Sequence, residues 1–355
     1  VIENRKKSVF IFTGYCLLLL FLSGCYLIKQ GSYIVSHNCA AKKIDTLLEK
    51  NSLEPEVKET LSLVKKIKRY AVSVLGLKDN KNYTTYVEIN KDYLADVVSA
   101  SKKDCFESYT WWYPFFGSFP YKGFFEREDA IREAEKLKKK NLDVLIRKVD
   151  AFSTLGFFTD PIYSYMSDYS VYSLASLIIH EQTHATIWLK NRIQFNEELA
   201  TFVGREGALK FISDTFGRIS PQYEKAVTII EDSNRFVSLI RVLHKDLEAL
   251  YRMDIDTSYK LAVRGRIIHA FKDHYRMFYS HEFLSDAYRS PLTFPINNAY
   301  IMLFITYTED LSIFYELYEK QGKNLSAVIA LLKQVKKVKG DPKEYIRNRL
   351  LAGNQ

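Results

Sequence analysis

The chain is 355 residues long, 47% hydrophobic and 14% aromatic, with 25 tyrosines and 23 phenylalanines. It has ample apolar area for a large core, which excludes a disordered or low-complexity protein. The net charge is +9, but the basic residues are scattered among acids and no nucleic-acid motif accompanies them, so the charge favours anionic surfaces and argues against nucleic acid as a partner.

Residues 1 to 24 read as a targeting segment, with a basic start at Arg5-Lys6-Lys7 and an apolar stretch from Val9 to Leu22. Leu22-Ser23-Gly24-Cys25 places small residues ahead of a cysteine and is similar to a bacterial lipobox. On that reading Cys25 is acylated, becomes the mature N-terminus and ties the protein to a membrane through its lipid. The alternative is an uncleaved signal anchor from Ser8 to Ile28, long enough to cross a bilayer. Both place the body outside the cytoplasm, in the cell envelope, facing the periplasm or the exterior. Cys39 and Cys105 then remain as the cysteines of the body, able to pair in an oxidising compartment or to stay unbridged and buried.

From Tyr33 to Leu77 the pattern is helical: Ser52 and Pro55 open a helix whose apolar face carries Val57, Leu61, Val64 and Ile67, and Gly76 closes it. Tyr83 to Ile89 and Tyr93 to Ala100 are rich in β-branched and aromatic residues and predict two strands. Trp111 to Phe125 is the most aromatic stretch, broken by Pro114, Gly117, Pro120 and Gly123. It could wall a cleft, but strand and turn residues packed on a sheet are the commoner meaning. Glu126 to Lys140 predicts an amphipathic helix and Leu142 to Val149 a strand. The loop Gly156 to Asp160 precedes the central motif, so Thr159 and Asp160 either line a cleft or hold a turn before Pro161.

That motif is His180-Glu181-Gln182-Thr183-His184. Leu174, Leu177, Ile178 and Ile187 recur at helical spacing, and no proline or glycine interrupts Val171 to Lys190. On such a helix His180 and His184 stand one turn apart on one face, where both imidazoles reach a single metal ion, and zinc suits them. Glu181 points about 100° round the helix, free to act as general base on a water. A catalytic zinc usually takes three protein ligands. The short polar turn Lys190 to Gln194 lets a second helix start near Asn196 and fold back, which brings Glu197 or Glu198 to the histidines.

His180-Glu181-x-x-His184 followed by Asn196-Glu197-x-x-Ala200 resembles the gluzincin metallopeptidases, whose third ligand is the glutamate of an Asn-Glu-x-x-Ala segment. More closely, the chain resembles the bacterial "predicted aminopeptidase" lipoprotein family. The matching stretches are Tyr83-Thr84-Thr85-Tyr86, Pro114-Phe115-Phe116-Gly117, Pro120 to Phe125, Ser153 to Pro161, the metal motif, and Asn297-Asn298-Ala299 with Thr306-Tyr307. The resemblance implies zinc on His180, His184 and Glu197, with Glu197 preferred to Glu198. It further implies an α+β zincin-like fold, a peptide substrate, and a tyrosine from a later helix, Tyr307, against the oxyanion. Thr201 stands where gluzincins often carry an acid that orients the second histidine, and there is no Gly-x-Met-x-Asn segment for recognition of the substrate amine.

After Glu197 the chain reads as helical, over Glu198 to Ile212, Pro221 to Leu250, Ser258 to Phe278 and Asn297 to Gln321. The expected organisation is a signal segment 1–24 and a metallopeptidase body 25–355, with an α+β lobe 25–195 that includes the metal helix and a helical lobe 196–355. Three functions compete: an aminopeptidase, an envelope endopeptidase, and a non-catalytic lipoprotein that uses zinc as a staple. A structural zinc would normally fill its fourth position with a protein ligand, and no Cys or His lies nearby in sequence to do so, which favours catalysis.

Overall fold

A computed structural model describes residues 26, 28–50, 53–113, 117–150, 159–289, 291, 295–306, 310–338 and 340–351. The targeting segment, Cys25, Ser52, Pro114 to Phe116, Ser153 to Phe158 and Tyr307 lie outside them.

In chain order come α1 (28–40), β1 (Lys42–Lys43), α2 (Ile44–Leu48), α3 (Pro55–Ser73), β2 (Thr85–Val87) and β3 (Ala95–Ser101). Then follow β4 (Trp111–Tyr113), β5 (Gly117–Phe119), β6 (Tyr121–Phe124), α4 (Arg127–Lys139), β7 (Asp143–Val149), β8 (Ile162–Tyr163) and a 3-10 turn at Ser164–Asp168. The remainder is helical: α5 (Val171–Thr186), α6 (Ile193–Phe216), α7 (Pro221–Tyr251), α8 (Thr257–Glu282), α9 (Asn298–Thr306), α10 (Ser312–Lys320), α11 (Leu325–Leu332) and α12 (Pro342–Leu351). Helices with small sheets make this an α+β protein.

These elements form two compact units. The first takes the described residues of Val1–Ala41, Lys91–Lys102 and Glu107–Phe158. Its centre is β3, antiparallel to β6 on one side and β7 on the other, with Asp96 opposite Phe124 and Ala95 opposite Val149. Ala130, Ala134 and Leu137 recur at helical spacing on α4 and join Val98, Ala100, Trp111 and Phe124 in one buried cluster. Trp111, Phe124 and Phe125 of the aromatic stretch are buried and serve as scaffold, whereas Trp112 is exposed.

The second unit takes Lys42–Asn90, Lys103–Phe106 and the described residues of Thr159–Gln355. Its sheet has the order β1-β2-β8, with β2 antiparallel to β1 and parallel to β8, Tyr86 opposite Ile162. From β8 the chain turns directly into α5, which packs against α3, α6 and α7. The core here is built from α3 (Leu61, Val64, Ile67, Ala71), α5 (Leu174, Ile178, Ile179), α6 (Phe202, Val203, Phe211) and α7 (Phe236, Ile240, Leu243, Leu247).

Several boundaries differ from those expected. Strand β2 spans three residues where seven were expected, because Tyr83 takes a left-handed backbone (φ 56) that no strand accommodates. Tyr33 to Leu77 breaks into α1, β1, α2 and α3, and Asn297 to Gln321 divides into α9 and α10. Cys39 is exposed and Cys105 half-buried, and neither forms a disulfide. Among the described residues no helix is long and apolar enough to cross a membrane.

Candidate metal centre

Helix α5 carries the motif. Ser170 caps it, its Oγ accepting from the Ser173 amide at 3.0 Å, so the helix starts nine residues before His180, at Val171, with an amide of its first turn satisfied. Leu174, Ala175, Ile178, Ile179, Gln182 and Thr183 are buried, which fixes the rotation of the helix. That rotation leaves His180, Glu181 and His184 half-buried along the opposite edge, with one ligand atom from each lying within 4.8 Å of the others. The Nε2 atoms of His180 and His184 are 3.0 Å apart.

The chain then reverses between Ile187 and Arg192, with Asn191 in the left-handed region (φ 60). Asn196 fastens this turn: its Oδ1 accepts from the Leu189 amide at 2.9 Å and its Nδ2 donates to the Leu189 carbonyl at 2.9 Å. Both polar groups of Leu189 are satisfied by one side chain, itself 1% exposed. Helix α6 starts at Ile193, three residues before the expected point, and runs back along α5. The two helices approach closely at Gly204, where a Cβ would stand 2.9 Å from the Ser176 carbonyl oxygen and 3.2 Å from His180 Cβ. Glu197, seven residues and two turns before Gly204, is thereby delivered to the histidines.

One carboxylate oxygen of Glu197 lies 3.5 Å from His180 Nε2 and the other 3.5 Å from His184 Nε2. Burial on its own would raise the pKa of Glu197, but hydrogen bonds and charge from the two histidines outweigh it and hold the carboxyl down at about 2. Glu198 faces the other way. It is fully buried; Oε1 accepts from Gln194 Nε2 at 3.0 Å, and Oε2 forms an ion pair with Lys343 Nζ at 2.7 Å. The two adjacent glutamates left open by helical geometry are therefore separated by the packing of α6. Nδ1 of His184 is buried without a hydrogen-bond partner among the described residues, and no acid from the Thr201 position orients it.

Two residues from outside the motif share the electrostatics of the site. Asp160 sits between β8 and the preceding loop, its Oδ2 accepting from Asn82 Nδ2 at 3.3 Å and its carbonyl from the Tyr83 amide at 2.6 Å. Burial and then the charge of Glu181 push its pKa up to about 6. These contacts make it a turn residue, and it lies in the field of Glu181. Tyr83 is 3% exposed, and burial followed by the Glu181 and Asp160 carboxylates drives its pKa well above 10, so it remains a phenol. As a sequence element Tyr83 reads as the first residue of a strand; its nearness to Glu181 is visible only in three dimensions. Tyr307 and Cys25 fall outside the described residues.

This donor set fits a first-row divalent metal. Four ligand atoms around zinc at 2.0–2.1 Å stand about 3.3 Å from one another, and the imidazole and carboxylate atoms here are 3.0 to 3.5 Å apart. Residues 25–349 match the model of a family described as "Putative aminopeptidase". The chain belongs to this family. All of the residues that build the centre lie within the matched range, and the family name carries peptide hydrolysis. No curated protein and no solved structure matches this aminopeptidase-family chain.

Proposed function

We propose that the chain is a zinc-dependent aminopeptidase of the cell envelope, held to a membrane through a lipid on Cys25. The observation that carries this reading is the convergence of His180 Nε2, His184 Nε2 and the Glu197 carboxylate from two antiparallel helices, with Glu181 beside them. His180, His184 and Glu197 would hold the ion, leaving Glu181 as a separate base. Bound there, zinc would supply a Lewis acid for the scissile carbonyl and a lowered pKa for water.

The chain's own residues do the rest. Glu181 takes the proton of the attacking water and returns it to the departing amine. The developing oxyanion needs one further donor, for which Tyr307 is the choice by family resemblance and Tyr83 the choice by its position in the field of Glu181. The contact with a substrate amine we assign to Asp160, an acid in the field of Glu181.

The test is to load the full chain with zinc, incubate it with a diverse peptide mixture and read the products by mass spectrometry beside Glu181→Gln. Loss of single N-terminal residues that vanishes in Glu181→Gln supports the reading. Internal cuts with the same dependence make the protein an endopeptidase. Equal inertness of both proteins with zinc bound removes the catalytic claim. Detection of a diacylglyceryl group on Cys25 in the purified protein tests the anchor separately.

A further inference from the structure

A cavity of about 270 Å³ opens beside the metal centre, between the turn that follows α5 and the chain leading into α12. Its walls include Trp188, Lys190, Arg192, Lys336 and Pro342. Trp188 is shared with the metal site, its ring standing edge-on to the imidazole of His184 with centroids 5.4 Å apart. Trp188 is also half exposed, so one face of it is open to a ligand.

The charge of this cavity is one-sided. Arg192 Nη2 donates to the Gly340 carbonyl at 3.3 Å and Lys336 Nζ to the Thr186 carbonyl at 3.3 Å, which fixes both side chains at the rim without neutralising them. Among the described residues no acid pairs with Lys190, Arg192 or Lys336. Asp341, between the lining residues Gly340 and Pro342, forms no ion pair with any of the three; its Oδ1 accepts from the Lys343 amide at 2.9 Å at the start of α12. Three cations around one concave space, none of them ion-paired among the described residues, are an arrangement that an anionic ligand completes. The space is slightly below the roughly 300–1,000 Å³ of small-molecule sites, the size of one residue rather than of a long peptide.

Resting on the peptidase reading above, we infer that this cavity is a carboxylate-binding subsite, seating the C-terminal carboxylate or an acidic side chain of a short peptide against Lys190, Arg192 and Lys336. Because Trp188 packs on His184 and also lines the cavity, the carboxylate is held beside the residues of the metal centre. The protein is accordingly selective for short or acidic peptides, with Trp188 as the wall between chemistry and recognition.

The test uses binding rather than turnover. In the full chain carrying Glu181→Gln, tryptophan fluorescence is titrated with Ala-Ala-Ala against its C-terminal amide, and with Ala-Glu-Ala-amide against Ala-Gln-Ala-amide. Trp188→Phe identifies the reporting ring. One pair is expected to separate by about tenfold in Kd, the scale of one charge-assisted hydrogen bond, and which pair separates names the source of the carboxylate. The preference should collapse in Arg192→Gln/Lys336→Gln and turn toward neutral peptides in Arg192→Glu, with thermal melting confirming that these exposed-residue variants fold. Equal affinity within both pairs, or a preference that the cavity variants leave intact, overturns the inference. So does sedimentation with phosphatidylglycerol vesicles that the double variant loses while neither peptide pair separates, which would assign the cations to a lipid surface. Wild-type cleavage of peptides without discrimination sinks the subsite and spares the peptidase reading. Discriminating binding by a protein that cleaves nothing does the reverse.

Discussion

Oε2 of Glu198 lies 2.7 Å from Nζ of Lys343, while the carboxylate of the preceding residue, Glu197, faces His180 and His184. One glutamate thus ties α6 to α12 and the other meets the metal site. Glu198 is fully buried and Lys343 is 20% exposed along its side chain, so Glu198→Gln leaves a largely buried cation with only the exposed Asp310 carboxylate, 3.9 Å away, and should cost about 2–4 kcal/mol of stability. Glu197→Gln should melt within about 1 kcal/mol of the metal-free wild type yet bind zinc weakly. Urea unfolding and zinc titration of the two variants check this. A Glu198→Gln protein that keeps its stability and loses zinc would reverse the assignment.

Gly204→Ala asks whether the close approach of the helices matters to the site. The added methyl would meet the backbone carbonyl oxygen of Ser176 at 2.9 Å and His180 Cβ at 3.2 Å. Helix α6 must shift away from α5, which costs about 1–3 kcal/mol and carries Glu197 off the histidines. Zinc affinity should fall together with Tm. A variant with wild-type zinc affinity would show that the ligand set tolerates a looser helix pair.

Asp160 makes stability depend on pH. Its folded-state pKa of about 6 lies above the ordinary value of 3.8, so the native state holds the proton more tightly than the unfolded chain. The contribution is present below about pH 4 and is lost as pH rises through about 6. Asp160→Asn never ionises and should therefore be more stable than wild type at pH 7, by about 3 kcal/mol at most, with the difference disappearing below pH 4. Paired denaturant curves at pH 4 and pH 7 measure it. A difference that grows toward acid would contradict the sign.

Tyr83→Phe removes one hydroxyl from a phenol in the field of Glu181. If that hydroxyl serves the oxyanion, kcat should fall by about 100-fold with KM nearly unchanged, as for the loss of one such donor. Tyr307→Phe is measured beside it. A loss confined to Tyr307→Phe would return the role to the residue chosen by resemblance and leave Tyr83 as a packing element.

The helix that carries the two histidines was legible from sequence because its message is local. Two histidines four apart and an apolar stripe at helical spacing define α5, and the same logic reads α3, α4 and α7. The choice of Glu197 over Glu198 needed resemblance, since one residue on a helix is about 100° and only the partners at Lys343 and the histidines decide which side faces the site. Asn196 was visible as a motif letter but not as the clamp on Leu189, a bond made across a turn. The left-handed backbone of Tyr83 was hidden too. Lys68, on α3, donates to the carbonyls of Asn80 and Asn82 and shapes the loop from a distance of several turns, which no strand-like pattern at Tyr83 reports.

Asn196 joins two consecutive helices into one hairpin, and that has a kinetic side. From His184 to Glu197 is a separation of 197 − 184 = 13 residues, so bringing the ligands together closes a short loop at small entropic cost. Contacts of such low sequence separation cost less loop entropy than the distant pairing of β2 with β8. The hairpin can gather its donors while the rest of the chain is still unordered, and an ion captured at that stage would act as a nucleus for the fold.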